Sequence, residues 1–164
     1  MCIRDSNKTR SKIDHFHHQY YIDRSLSSAH VQCLLQDKNF DVWIGTSAGL
    51  DKIDHPYNSK DNPRIERFSE QKRNLSLSHP NIRSLLEDSK RQLWVGTENG
   101  LNVLNRRRDK VRYFFRDPKD KRSISNDQIR CMLEDKRGNI WLGTEEGLNI
   151  YNPCLLYTSP SPRD

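Results

Sequence analysis

No stretch of this chain approaches the roughly 20 consecutive apolar residues that a membrane-spanning helix needs. Cysteine is sparse, four among 164 residues, and no pair has the close spacing of a metal-ligand set. No Ser/His/Asp constellation, phosphate-cradling glycine loop or pair of catalytic acids can be placed, so no catalytic residue, metal or cofactor is assigned. Charge of one sign does not dominate strongly either: the formal net charge is +6, which favours anionic partners only in a general way. The densest basic run, Arg106 to Lys110, falls between two predicted strands and reads as a solvated hairpin. Binding of nucleic acid would need aromatics placed to stack beside a basic face. Here the aromatics fall at repeated core positions, so no nucleic-acid partner is expected.

What the chain does have is a repeat. The block Val42 to Leu50 (Val-Trp-Ile-Gly-Thr-Ser-Ala-Gly-Leu) returns at Leu93 to Leu101 and again at Ile140 to Leu148, with Trp43, Trp94 and Trp141 spaced 51 and 47 residues apart. Self-similarity at such a period marks a repeat architecture. Upstream of each tryptophan an apolar stretch ends in an acid: Val31 to Asp37, Ile82 to Asp88 and Ile129 to Asp135. Each begins 12 positions before its tryptophan, so the register holds in all three copies. Downstream come a third short run (Leu50 to Asp54, Leu101 to Asn105, Leu148 to Asn152), a polar loop, and a piece like Ile65 with Phe68 or Val111 with Phe114. Ile13 with Phe16 repeats that last piece ahead of the first copy. Each unit therefore reads as four short β runs separated by turn residues.

The second run is apolar at three consecutive positions in every copy, as expected of a sheet covered on both faces. Four-stranded antiparallel units packed face to face about an axis are the blades of a β-propeller, and the tryptophans are expected between them. The fold class is thus all-β, a partial propeller of about three blades. Gly45, Gly96 and Gly143 lie inside strands, where glycine marks close approach of a neighbour. The turns Thr46 to Gly49, Thr97 to Gly100 and Thr144 to Gly147 fit a type I turn followed by a left-handed glycine. The turn after the first run opens with Asp37, Asp88 or Asp135, whose side chain can bond the turn backbone. It carries glycine only at Gly138; Phe40 and Arg91 stand there in the other copies, so those turns are either strained or of another type. Cys33 and Cys131 share a position with Ser84, which predicts a small buried residue, too far apart for a disulfide.

The segments divide the chain as follows. Residues 7–23 read as the outer strand of a preceding blade with its loop, 24–70 as one blade, 71–117 as a second, and 118–153 as a third without its outer strand. Residues 1–6 and 154–164 resemble the two strands of a sequencing-library adapter read as protein, and they are set aside as adapter-derived scars. The histidines His15, His17 and His18 read as a solvated outer edge.

One pattern in these copies resembles a known family. Copy three carries Ile124-Ser125, Ile129, Met132, Asp135, Gly138, Ile140 to Thr144 and Gly147-Leu148; copy two carries Leu77-Ser78, Ile82, Leu85, Asp88, Leu93 to Thr97 and Gly100-Leu101. Copy one is similar but departs at Phe40. The pattern resembles the two-component regulator propeller repeat, over about residues 12 to 152. The resemblance implies a seven-bladed ring in the periplasmic sensor region of a hybrid histidine kinase anchored in the inner membrane. It also implies a dimeric parent with further blades and downstream domains as partners, and an oligosaccharide ligand released during glycan utilisation. No kinase motif lies in this chain, so phosphotransfer would belong to other sequence. Ligand contacts are expected from the loops leading into the innermost strands, at His30, Asn81 and Gln128. The alternative is a propeller serving as a protein-interaction or structural module outside two-component signalling. A lyase-like enzyme is a third class, disfavoured because these copies lack convergent His, acid or metal ligands. A few blades alone leave sheet faces uncovered, which predicts association or partial folding.

Overall fold

The computed structural model describes residues 15–19, 25–54, 65–68 and 75–153. They build eleven strands in three antiparallel sheets and, among the described residues, no helix. The first sheet runs in order β1 (Val31–Gln36), β2 (Val42–Thr46), β3 (Leu50–Ile53), β4 (Ile65–Arg67). The second repeats it with β5 (Ile82–Glu87), β6 (Leu93–Thr97), β7 (Leu101–Leu104) and β8 (Val111–Phe114). The third has three strands, β9 (Ile129–Glu134), β10 (Ile140–Thr144) and β11 (Gly147–Tyr151). Of the predicted piece at Ile13 to Phe16, only His15 and Phe16 lie among the described residues, and they carry no strand.

The sheets stack as blades, with the first strands of successive blades in contact: β1 with β5, and β5 with β9. Trp43 is buried in a cluster with Ile82, Leu93, Val95 and Leu104 of the next sheet. Trp94 is buried against Ile129, Ile140 and Leu142 of the third. Among the described residues Trp141 faces no further sheet, and it is half-buried. Each indole is also tied to its own blade, because the acid that opens the preceding turn accepts its N–H. Trp43 Nε1 donates to Asp37 Oδ2 at 2.9 Å, Trp94 Nε1 to Asp88 Oδ2 at 2.9 Å, and Trp141 Nε1 to Asp135 Oδ2 at 3.0 Å. Asp135 is held well below the usual carboxylate range, first by the Asn139 amide, then by this indole and by backbone N–H groups. These aspartates are turn and packing residues, and their chemistry is used up there.

The turn they open is the same in all three blades. Phe40 N donates to Asp37 O, Arg91 N to Asp88 O and Gly138 N to Asp135 O, at 2.9, 3.0 and 3.0 Å. Phe40 (φ 66°) and Arg91 (φ 62°) adopt the left-handed region that Gly138 (φ 79°) takes freely. Of the two readings left open for copies one and two, strain is the one realised.

Three sequence expectations are corrected. The Thr-to-Gly turns do end in a positive-φ glycine, at Gly49, Gly100 and Gly147 (φ 157°, 100° and 119°), but in blade 2 the glycine N–H does not close the turn. Instead Thr97 N donates to Gly100 O at 3.1 Å while Thr97 Oγ1 accepts from Asn99 N at 3.1 Å. The glycine N–H is thereby released to Asp127 O, at 2.7 Å, on the loop before β9. A side-chain-closed turn freed a donor for the neighbouring blade. Second, Arg108 is not solvated. It is buried with φ 57°, its guanidinium lies 5.7 Å from the Trp43 ring centroid, and it pairs with Glu87 at 3.3 Å. Third, Cys131 is exposed, Cys33 half-buried and Ser84 buried. All three take the same place, but only Cys33 and Ser84 have a following blade against them, at Ile82 O and Ile129 O. Burial pushes the Cys33 thiol up to about 11, with a smaller opposing bond from the Gly45 backbone.

Candidate ligand-binding surface

The innermost strand of each blade carries one irregularity at one position. Between β1 and β2, Val31 pairs with Thr46 and Cys33 with Gly45, so Gln32 is an extra residue. Between β5 and β6, Ile82 pairs with Thr97 and Ser84 with Gly96, leaving Arg83 extra. Between β9 and β10, Ile129 pairs with Thr144 and Cys131 with Gly143, leaving Arg130 extra. A bulge releases one residue from the alternation of faces and re-aims its side chain, which is why bulges gather beside binding sites. Here it sets a long polar side chain at the inner strand end.

There the bulged residues meet the turn between the second and third strands. Arg83 pairs with Glu98 at 2.5 Å, and Arg130 pairs with Glu145. Copy one has Gln32 and Ser47 at these places, and Gln32 Nε2 instead donates to Asn81 Oδ1 of the second blade at 2.6 Å. Asn81 Nδ2 reaches Glu98 Oε2 at 3.4 Å, so Gln32, Asn81, Glu98 and Arg83 form one connected chain across two blades. Both ion pairs are partly exposed. Pairs in that setting contribute only ~0–1 kcal/mol to stability.

The three predicted contact residues lie at equivalent places before β1, β5 and β9. Their carbonyls do a shared structural job: Ser47 N donates to His30 O, Glu98 N to Asn81 O and Glu145 N to Gln128 O, at 3.1, 3.1 and 3.3 Å. Only Asn81 is bonded to a neighbouring blade through its side chain. Gln128 Oε1 accepts from Arg130 Nη2 at 3.2 Å, and His30 is exposed. The bulged residues and their turn partners were missed in the sequence. Their signal was there: an Arg one place after the repeat's first Ile, with a Glu fifteen residues on, in two copies.

A recess of about 420 Å³ lies between blades 2 and 3 beside Trp94, Glu134, Arg112 and Tyr151. In the groove between blades 1 and 2 the matching residues Trp43 and Glu87 hold Arg108. The histidines His15 and His17 are exposed, and His18 Nδ1 lies 2.6 Å from Leu26 O. Among the described residues no group of three or more His, Cys, Asp or Glu is placed to hold a metal ion, and no helix is long and apolar enough to cross a membrane.

Two full four-stranded blades and a three-stranded one, stacked through tryptophans and unclosed, define a partial β-propeller. The family model described as two component regulator propeller matches residues 76–99 and 123–146, which fall in copies two and three. The extracellular domain of a protein described as a hybrid two component system from B. thetaiotaomicron is 29% identical with a TM-score of 0.60, over 74% of this chain and 15% of that one. A second such extracellular domain from the same organism is 25% identical with a TM-score of 0.67, over 93% of this chain and 19% of that one. PorZ, a surface component of the type-IX secretion system of Porphyromonas gingivalis, shares the fold at 20% identity, TM-score 0.56, over 72% of this chain and 17% of that one. The chain thus spans under a fifth of the length of each of these structures. No curated protein gives a significant match. The chain resembles the extracellular sensor domains of hybrid two-component systems.

Proposed function

We propose that the chain is part of the ligand-sensing propeller of a hybrid two-component sensor histidine kinase. The propeller lies on the periplasmic side of an inner-membrane parent, and its ligand is an oligosaccharide released from a polysaccharide whose use the parent regulates. The observation that carries the ligand reading is the bulge repeated at Gln32, Arg83 and Arg130. It sets amide, guanidinium and carboxylate groups side by side in successive blades, a mixture of donors and acceptors suited to sugar hydroxyls. The role is binding rather than catalysis. Capture at this surface acts by favouring one packing of the sensor domains over another, which biases a dimeric parent across the membrane. Other blades and downstream domains of the parent are its partners.

Two measurements test this. Reading the gene past the segment encoding residues 7–153 is expected to reveal kinase and receiver segments; an interaction domain without them overturns the sensor assignment. Calorimetric titration of the complete sensor with defined oligosaccharides is expected to give heat that Arg83→Ala and Arg130→Ala abolish. Silence with every glycan, together with binding of a protein partner, removes the sugar reading.

A further inference from the structure

The two ends of the blades differ in how their charges are matched. At the end that carries the bulges, cations stand beside acids: Arg83 pairs with Glu98, Arg130 with Glu145, Arg116 with Glu146 and Arg122 with Asp120. At the opposite end lie the turns between the first and second strands and, in blade 2, the turn between β7 and β8. Exposed there are Lys38, Lys90, Lys136, Arg106, Arg107 and Lys110. Lys38 Nζ donates to Asp88 O at 3.1 Å, and the side chains of the others make no hydrogen bond or ion pair among the described residues. The acids nearby are already engaged: Asp37, Asp88 and Asp135 by the indoles, Glu87 by Arg108, Asp54 by Lys52 and Asp109 by Asn105.

These turns form one continuous face. Arg91 Nη1 donates to Asn39 Oδ1 at 3.0 Å, joining the turns of blades 1 and 2. Arg108 Nη1 donates to Arg91 O at 2.8 Å and brings in the β7–β8 turn, while Ser89 N reaches Glu134 Oε2 of blade 3 at 2.8 Å. Phe40 stands on this face, 63% exposed, and belongs to none of the three core clusters. Its backbone is held at φ 66°, at the place where Gly138 serves blade 3 without strain. An exposed ring on a strained backbone adds nothing to the core, and strain that the fold does not need gathers at functional positions. Further blades of a ring pack against sheet faces and not against turn tips, so this end stays open however many blades there are.

We propose that this end of the blades docks on an acidic phospholipid bilayer, its cations against the headgroup phosphates and Phe40 in the interfacial layer. A linear polyanion is held by cations lining a groove. Here the cations sit on separate turns of three successive blades, around an apolar side chain. Broad basic charge with an aromatic ring that leaves water at the headgroup boundary is the chemistry of an interfacial contact. The contact goes beyond the ligand capture proposed above, and it turns the bulged surface, at the far ends of the strands, away from the lipid.

Flotation of the full chain with phosphatidylcholine vesicles, with and without phosphatidylglycerol, tests this; self-associated chain stays at the bottom of the gradient. The chain is expected to float with the acidic vesicles only, and to be released at ~1 M salt, where screening acts within ~3 Å. Arg106→Gln with Arg107→Gln is expected to lower the partition about tenfold or more. Lys119→Gln with Lys121→Gln, the same loss of charge at exposed positions of the other end, should leave it unchanged. Phe40→Gly, which relieves strain, should lower it roughly tenfold while the fold is kept. Equal flotation with neutral vesicles, an equal loss from the Lys119 and Lys121 pair, or an unchanged Phe40→Gly variant overturns the proposal. Capture by soluble dextran sulfate without flotation also overturns it and assigns the face to a polyanionic glycan. Should the arginine variant lose its sheet signal, the salt and vesicle arms with the unaltered chain, together with Phe40→Gly, decide.

Discussion

Replacing Asp51 by asparagine is expected to stabilise the chain, and the effect can be worked from the other two copies. Asp51 is fully buried, and its Oδ2 accepts from Ser27 N at 2.7 Å and from Ser27 Oγ at 2.9 Å. Its Oδ1 has no hydrogen-bond partner. At the same place in blade 2, buried Asn102 accepts from Ser78 N at 2.8 Å while its Nδ2 donates to Ser78 Oγ at 2.8 Å and to Val95 O at 3.3 Å. Asn149 repeats the pairing with Ser125 in blade 3. Asp51→Asn would turn the orphaned acceptor into a donor aimed at Ile44 O, the equivalent of Val95 O. A buried polar atom without a partner costs about 1–3 kcal/mol, and loss of the attraction to Arg67 offsets part of that, so a gain of about 1–2 kcal/mol is expected. In melting temperature this is roughly 2–4 °C per kcal/mol for a chain of this size.

The gain has a pH signature. Desolvation raises the Asp51 pKa, against bonds from Ser27 and the charges of Arg67 and His18. A carboxyl with a raised folded-state pKa contributes its stability below the ordinary carboxylate range and loses it as pH climbs through the folded value. Protonated Asp51 can itself donate, so Asp51→Asn gains little in acid and its full amount at neutral pH. Thermal melts at matched low protein concentration, so that association does not enter, read the difference. A variant no more stable at neutral pH, or a gain independent of pH, refutes the reasoning.

Other consequences are as direct. Asp88→Ala removes the acceptor for buried Trp94 Nε1 and for Gln92 N, at 2.9 and 2.7 Å. It is expected to cost about 1–3 kcal/mol in denaturant titration, and more than Asp135→Ala, whose half-buried indole can turn to water. A Cβ at Gly96 would meet Ser84 Oγ on its own blade and lie 2.7 Å from Ile129 Cγ2 on the next, whereas at Gly143 its one close contact is the exposed Cys131 Sγ, at 2.5 Å. Gly96→Ala is therefore expected to cost ~1–3 kcal/mol by overpacking, and Gly143→Ala measurably less; equal losses would contradict the blade packing. Phe40→Gly relieves a left-handed residue that costs ~1–2 kcal/mol, against the ~0.5–1 kcal/mol entropy cost of glycine, and a small rise in the unfolding midpoint is expected. Arg91→Gly should gain less, because Arg91 Nη1 also donates to Asn39 Oδ1 at 3.0 Å.

The order of strands, the burial of the indoles and the role of the turn aspartates were legible in the residues. Each is written locally: an invariant spacing from Val31, Ile82 or Ile129 to its tryptophan, three apolar residues in a row, and an acid before a turn. Glycine at positions 45 and 96 likewise announced a neighbour, and the Ile82 and Ile129 side chains are those neighbours. His30, Asn81 and Gln128 lie at the same strand ends as the bulged residues, and the side chains re-aimed there are Gln32, Arg83 and Arg130. A bulge is a mismatch between two strands, visible only when β1, β5 and β9 are laid against their partners.

The sequence by itself thus determined which residues form strands and which stripe of each blade must be covered. Tertiary structure alone decided what does the covering. Arg108 reads as one more solvated charge in a basic run, yet it is buried because Trp43 and Glu87, far away in the chain, offer it a ring face and a carboxylate. Cys33 and Cys131 share one repeat position and differ in exposure because only Cys33 has a blade behind it. The periodicity of a strand encodes a face, but the energy of that face depends on the surface brought against it, and that surface comes from another blade.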